Sequence, residues 1–461
     1  MCGIDGCARA PRVSLSAPSR RRRTISVPSR RWRTTWLLTV FALLGGLAPP
    51  SRAAAGDEIA AEPPRVAPDT QAAEAAAPGS RAQLDLHTIE LGVPADLVVM
   101  SRDEHWAYLA AQGEDTIFVI DLRELRVARQ LTFPAAIWAL AISTDSRRLF
   151  VSATTPRGMP HGPCDSPQVP ADAASYLLVI DAPSGDLIAE PRLSDVAFEL
   201  LLAPDGTHLA VITVSGLDLV DLDSASVARR IAAPAGSSLG DGAAYADKGA
   251  KIFALGTGGV VFDLREDRAR VLDPPPGYAF YPDDLTALPS GAQVFASLVA
   301  DAAETLVAID AASEEIELVK GAAFGASGGV LFSRLRSRLF LPGSGIVLDA
   351  ATLKVTGHLP GWDVGLGVAA QLSPDQALLY FRPHGSPVHS TTFYGEPPVL
   401  YDLEVVDASS LKKLAYLVLD RRAIGCTPSS PLALGRKGRT LVAPNPSLGT
   451  VSVIRVGAPG S

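Results

Sequence analysis

The chain has 461 residues, 47% of them hydrophobic, with 40 Gly, 37 Pro and a formal charge of −8. That apolar content excludes a disordered polymer, and the Gly and Pro suit many short strands joined by turns. Ten Arg and one acid fall within residues 1–55, leaving 31 basic against 48 acidic residues beyond them. An acidic balance of that size repels phosphate backbones, so nucleic acid is excluded as a partner.

In chain order, the first segment is a basic run, Arg20 to Arg23 with Arg30, Arg31 and Arg33, followed by the apolar WLLTVFALLGGL (36–47) and a small-residue site ending at Ala55. This order reads as a secretory signal peptide over residues 1–55, cleaved after Ala55. The apolar run is shorter than the ~20 residues a membrane helix needs, so no stable span is expected after its removal. A periplasmic or secreted location follows. Asn occurs once and Arg far outnumbers Lys, a bias of GC-rich bacterial coding. Residues 56–82 are rich in Ala, Pro and Glu, lack apolar periodicity, and read as a disordered linker.

Residues 83–457 are built from one recurring unit, clearest in ELLLAPDGTHLAVITVSGLDLVDLDSASVARRI (199–231). Its short apolar runs are strands, and Ala203-Pro204-Asp205-Gly206 is a tight turn with Pro presetting φ, Asp bonding locally and Gly accepting a positive φ. The third strand closes on Asp221, whose carboxylate caps the next turn. Asp121, Asp181, Asp263, Asp310, Asp349 and Asp407 repeat that landmark at the interval expected of a solenoid or propeller. The first turn recurs at 143–146, 246–249, 288–291 and 373–376. A four-stranded meander cannot bury both apolar faces alone, so copies must stack into a closed ring.

The predicted fold is therefore all-β: a single β-propeller of four-stranded antiparallel blades. The last copy, PLALGRKGRTLVAP followed by TVSVIRV, lacks a fourth strand, and LDLHTIEL (84–91) supplies it. The last blade is then closed by both ends of the chain, with eight blades favoured over seven. The 333–348 region is the thinnest unit.

The stretches LVAPNPSLGTVSVIRV (441–456) and DTIFVIDL (115–122) resemble the repeats of YVTN-type β-propeller proteins, with the motif's Asn at Asn445. The resemblance runs over nearly all of 84–456 and implies the fold. It brings no functional residue, because that family shares no single active site.

Two long insertions between second and third strands rise on one face: ATTPRGMPHGPCDSPQVPADAAS (153–175) and RPHGSPVHSTTFYGEPP (382–398). Elongated loops on one rim of a rigid scaffold are where function usually sits. They supply His161, Asp165, His384, His389 and Tyr394 as candidate ligand-binding residues. Imidazole and carboxylate suit zinc, iron or copper, but the spacing matches no ligand motif, so no metal and no cofactor are expected. With Cys2 and Cys7 in the signal segment, Cys164 and Cys426 remain; both lie on the insertion face one blade apart, and an oxidising compartment would pair them.

Other motifs read as structure. Gly325 to Gly329 satisfies G-x-S-x-G, but a strand follows Ser327 where a nucleophile elbow needs a helix. Gly256-Thr257-Gly258-Gly259 is a tight turn, and Asp218, Asp221 and Asp223 lack the spacing of a calcium loop. The function expected is an exported, non-catalytic scaffold binding a protein, peptide or glycan through the insertion face. The alternative is a lactonase-like or quinoprotein-dehydrogenase-like enzyme with an axial site.

Overall fold

The computed structural model describes residues 84–155, 173–237, 239–256, 258–300, 303–324, 330–342, 344–359, 368–383, 401–420, 432–445 and 449–457. They form eight four-stranded antiparallel sheets in a ring, an eight-bladed β-propeller.

The strand order follows from the hairpin turns. In the clearest unit, β10 (Ala197–Leu202), β11 (His208–Thr213), β12 (Gly216–Asp221) and β13 (Ser226–Ala232) pair in sequence. Blades 1 to 7 repeat this order, from β2 (Leu97–Met100) in blade 1 to β29 (Lys413–Asp420) in blade 7. Blade 8 is composite. β30 (Ala433–Leu434), β31 (Thr440–Asn445) and β32 (Thr450–Val456) are completed by β1 (Leu84–Glu90), which pairs with β32 from Leu84↔Val456 to Glu90↔Thr450.

The capping role of the third-strand Asp appears in all seven complete blades. Asp121 accepts the backbone N–H of Arg123 and Glu124, Asp181 that of Ser184, and Asp221 that of Ser224. Asp263, Asp310, Asp349 and Asp407 do the same for the residues two and three further on. Four residues after each Asp the chain turns into positive φ, at Leu125, Gly185, Ala225, Asp267, Glu314, Leu353 and Leu411. The result is one helical turn ended by a left-handed residue. Leu125, Leu353 and Leu411 tolerate that φ because their side chains pack onto neighbouring apolar clusters.

Burial follows strand position. The second and third strands are buried on both faces, as in β11 and β12, while the fourth alternates between exposed and covered. Each of the eight interfaces between successive blades holds its own apolar cluster. Period-2 alternation accounts for this: Ile117 and Val119 face blade 2, whereas Phe118 and Ile120 face blade 8. First strands of most adjacent blades touch one another, which places them along the axis. Blade 6 is the thinnest unit, its strands spanning only three or four residues.

Candidate functional site

A propeller offers two faces, and here they differ. On one, the short turns between first and second strands interlock around the ring. Arg102 donates its N–H to Ser146 Oγ at 2.7 Å, Asp247 N–H to Gly291 O at 2.7 Å, and Leu335 N–H to Gln376 Oε1 at 2.9 Å. The Lys437 N–H reaches Glu104 Oε1 and closes the rim between blades 8 and 1.

The opposite face holds the strand ends that flank the two insertions. The first falls in sequence between β7 (Arg148–Thr155) and β8 (Ala174–Asp181) of blade 2, the second between β27 (Leu378–Pro383) and β28 (Tyr401–Asp407) of blade 7. His161, Cys164, Asp165, Ser327, His384, His389, Tyr394 and Cys426 lie outside the described residues, as does Ala55. Among the described residues, no three His, Cys, Asp or Glu side chains gather as metal ligands.

The described part of this face shows two features that sequence patterning missed. The first is a run of irregular first strands. β6 (Ala136–Ile142) slips register at Ile137/Ala139, β10 at Ala197/Glu199, β14 (Leu239–Ala246) at Leu239/Ala243 and β18 (Ala279–Ala287) at Phe280/Leu285. Each slip lies at the insertion-face end of an axial strand, where bulges re-aim side chains. Trp138 and Phe198 occupy two of these bulges, and their rings meet edge to face at 5.8 Å. The available signal was length: LGDGAAYA and AFYPDDLTA are longer than their partners require.

The second feature is a change from apolar to polar packing at the ends of two interfaces. Between blades 2 and 3, Phe150, Leu177, Val211 and Val220 are core residues. One strand period further toward the insertion face, the same surfaces carry Ser152, Ser175, Thr213 and Asp218, all buried, with Thr154 one period beyond Ser152. The Trp138 indole N–H donates to Thr154 Oγ1 at 2.8 Å, Ser152 Oγ–H to Ala197 O at 2.8 Å, and Thr213 Oγ1–H to Gly216 O at 3.1 Å. Asp218 Oδ2 accepts the Ser194 N–H at 2.7 Å, tying β12 to the connection that enters blade 3. Asp218 Oδ1 lies 3.5 Å from Arg230 Nε but has no hydrogen-bond donor, and neither has the buried Ser175 Oγ a partner. Burial pushes the Asp218 carboxyl above the ordinary carboxylate range despite its bonds to Ser194 and the Arg230 charge.

Between blades 7 and 8 a second polar seam stands in the same place. Arg382, 2% exposed, donates to Pro444 O and, at 2.6 Å, to Asn445 Oδ1. Asn445 Nδ2–H₂ donates in turn to Thr450 Oγ1 and Ser452 Oγ, each at 3.1 Å. Asn445, singled out by its likeness to a repeat motif, thus holds a buried guanidinium. Each long insertion therefore springs from a blade whose interface with the next is polar at that end. Asp218 does not join Asp221 or Asp223: it lies within β12, paired with Val211, away from the turn that Asp221 caps.

No protein-family model and no curated protein sequence matches the chain. Among solved structures it is similar to hydrazine synthase of Kuenenia stuttgartiensis, with 15% identity over 79% of this chain and 97% of that one and a TM-score of 0.46. It is also similar to the Cps50 (Swd1) β-propeller domain of Myceliophteria thermophila, with 13% identity over 80% and 99% and a TM-score of 0.47.

Proposed function

We propose that this chain is an exported propeller of the YVTN-like kind that binds a protein, peptide or glycan partner across the face bearing the two insertions. One observation carries the reading: the strand ends between which both insertions run border two interfaces whose buried ends are polar, on the face opposite the interlocked rim. Apolar packing alone would close those interfaces; hydroxyls, an amide, a carboxylate and a guanidinium cost desolvation and are favoured where a surface must orient loops or ligands. The acidic balance beyond residue 55 and the basic and apolar segment before it support an exported location and no nucleic-acid partner.

The test replaces residues 384–400, and separately 156–173, with a two-residue Asn-Gly hairpin in the full chain. Partner capture from the exported fraction, quantified by saturation binding, is expected to weaken at least tenfold in one or both variants. Arg334→Ala and Arg336→Ala, in a turn of the opposite rim, should leave it unchanged. Loss of binding in the opposite-rim variants alone would overturn the assignment. A stoichiometric transition metal with turnover in the purified protein would move it to the axial enzyme.

A further inference from the structure

We propose that the insertion-face end of the seam between blades 2 and 3 is a binding site for an ammonium group, with Asp218 Oδ1 as its ion-pair acceptor. This rests on the reading of the insertion face as the binding face and names the chemistry one part of it takes.

Two oxygens at that end, Asp218 Oδ1 and Ser175 Oγ, are shielded from solvent and lack a hydrogen-bond partner, Oδ1 having only the ion pair with Arg230, while their neighbours Ser152, Thr154 and Thr213 are bonded. A carboxylate oxygen can only accept, so whatever satisfies it must donate. Water would supply a donor, but it would leave the charge of a fully buried carboxylate uncompensated. Arg230 compensates it poorly. Its side chain is 52% exposed, it approaches at 3.5 Å without hydrogen-bond geometry, and its Nη2 is committed to Arg192 O at 2.6 Å. A compact cation with several donors matches these two acceptors, and an ammonium nitrogen needs no more room than a water molecule.

The surroundings favour the same sign. The described loops of this face carry Asp96, Glu114, Asp115, Glu190, Asp195 and Asp273 against Arg192, with Arg230 on the neighbouring strand as the second cation beside the seam. Turns of the other face are mixed, with Arg102, Arg147, Lys248, Arg336 and Lys437 among their acids. An acidic rim raises the local concentration of cations at the seam. Phe198, partly exposed in the bulge of β10 beside Trp138, offers an aromatic ring to the alkyl or ammonium part of the ligand.

An ammonium group can come from a free amine or from a lysine side chain of a partner protein, and the experiment separates them. Full-length protein is titrated calorimetrically at pH 7 with butylamine, neutral 1-butanol, putrescine, and the peptide Ala-Lys-Ala-Lys-Ala, at low and moderate salt. Butylamine and at least one diamine or peptide probe should bind saturably, butanol should not, and Asp218→Asn should weaken binding tenfold or more. Asp223→Asn, an exposed acid on the opposite face, should change it less than twofold. Tighter binding of the lysine peptide than of putrescine identifies a protein side chain as the source; the reverse identifies a free polyamine. If Asp218→Asn does not fold, Ser175→Ala reads the same seam and should weaken binding several-fold. Equal response to butanol, no saturable amine binding, or full binding by the variants would overturn the site and leave the seam to water. Partner capture that persists through that failure would keep the insertion-face reading intact.

Discussion

At the scale of single residues, two kinds of carboxylate coexist with opposite effects of pH. Burial opposes the charge on Asp218 and raises its value above that of an unfolded chain. A raised folded-state value means stability that is complete below the unfolded value and lost as pH rises through the folded one. Asp218→Asn keeps an acceptor for the Ser194 N–H and removes the buried charge, so it should raise the melting temperature at pH 7. The gain should vanish near pH 3; an equal shift at both values would show that the charge is not what the seam bears. The turn-capping acids run the other way. Hydrogen bonds from the Thr352 hydroxyl and N–H hold Asp349 below the ordinary range, and those from Ser409 and Ser410 outweigh burial to bring Asp407 to about 2. Their contribution is present above the unfolded value of 3.8 and lost as pH falls from there toward 2. Asp349→Ala should therefore lower the melting temperature at pH 7, and lower it less at pH 2.5.

At the scale of elements, the turns capped by these acids are also docking points for the preceding blade. The carbonyl of the residue after the capping Asp points out of the turn, and among the described residues a neighbour donates to it at five of the eight interfaces. Tyr108 and Arg129 reach Ala182 O, Arg229 reaches Leu264 O, Lys251 reaches Ala311 O, Arg338 reaches Ala408 O and Arg455 reaches Leu122 O. Lys251 is the most committed, with Nζ 2.9 Å from Ala311 O, 3.2 Å from Ala312 O and 2.7 Å from Glu314 Oε1. Its side chain is 8% exposed, so Lys251→Met leaves two carbonyls and a carboxylate short of a donor. We expect a loss of about 2 kcal/mol in denaturant unfolding, with Arg270 still holding Glu314. A loss of less than about 0.5 kcal/mol, the size of an exposed pair, would show the clasp to be decorative.

These clasps mark the boundary of what was legible in the sequence. Asp121 or Asp310 announces itself because an acid at the end of an apolar run does one thing, local capping, that depends on adjacent residues alone. Lys251 and Arg229 carry no such signal, since a cation on a strand looks like any solvated surface residue until the next blade is placed beside it. The polar seams were hidden for the same reason. Ser152, Thr213 and Asp218 sit inside strands at positions where alternation demands an apolar residue, and only the pairing of blades shows that they meet at one end of one interface. The bulges at Trp138 and Phe198 break the period on which a reading of strands depends. The insertion residues His384 and His389 stand out only by the length of their loop, and they lie outside the described residues.

At the scale of the whole molecule, the ring depends on one junction made by residues far apart in sequence. Seven blades are local meanders whose hairpins can form as soon as they are synthesised, but blade 8 waits for β1 and β32, separated by nearly the entire fold. β1 contributes little burial of its own, with Ile89 as its one fully buried side chain. Its larger effect is to cover the edge of β32, where Val451, Val453 and Ile454 are buried, and to carry the chain into Leu91 and Ala95 of the blade 8 to blade 1 cluster. An uncovered strand edge exposes backbone donors and acceptors and invites pairing with another chain. Removing residues 1–90 should therefore cost about 4 kcal/mol or more and promote association, through lost apolar burial and an open edge. A synthetic peptide of residues 84–91, added in excess, should restore part of the melting temperature, and the same peptide with Ile89→Asp should not. Denaturant unfolding and sedimentation on the truncated chain check this. A truncated protein that stays monomeric and melts within a degree of the parent would mean that the ring is sealed by turn contacts such as Glu104 with Lys437, and that the composite blade is dispensable.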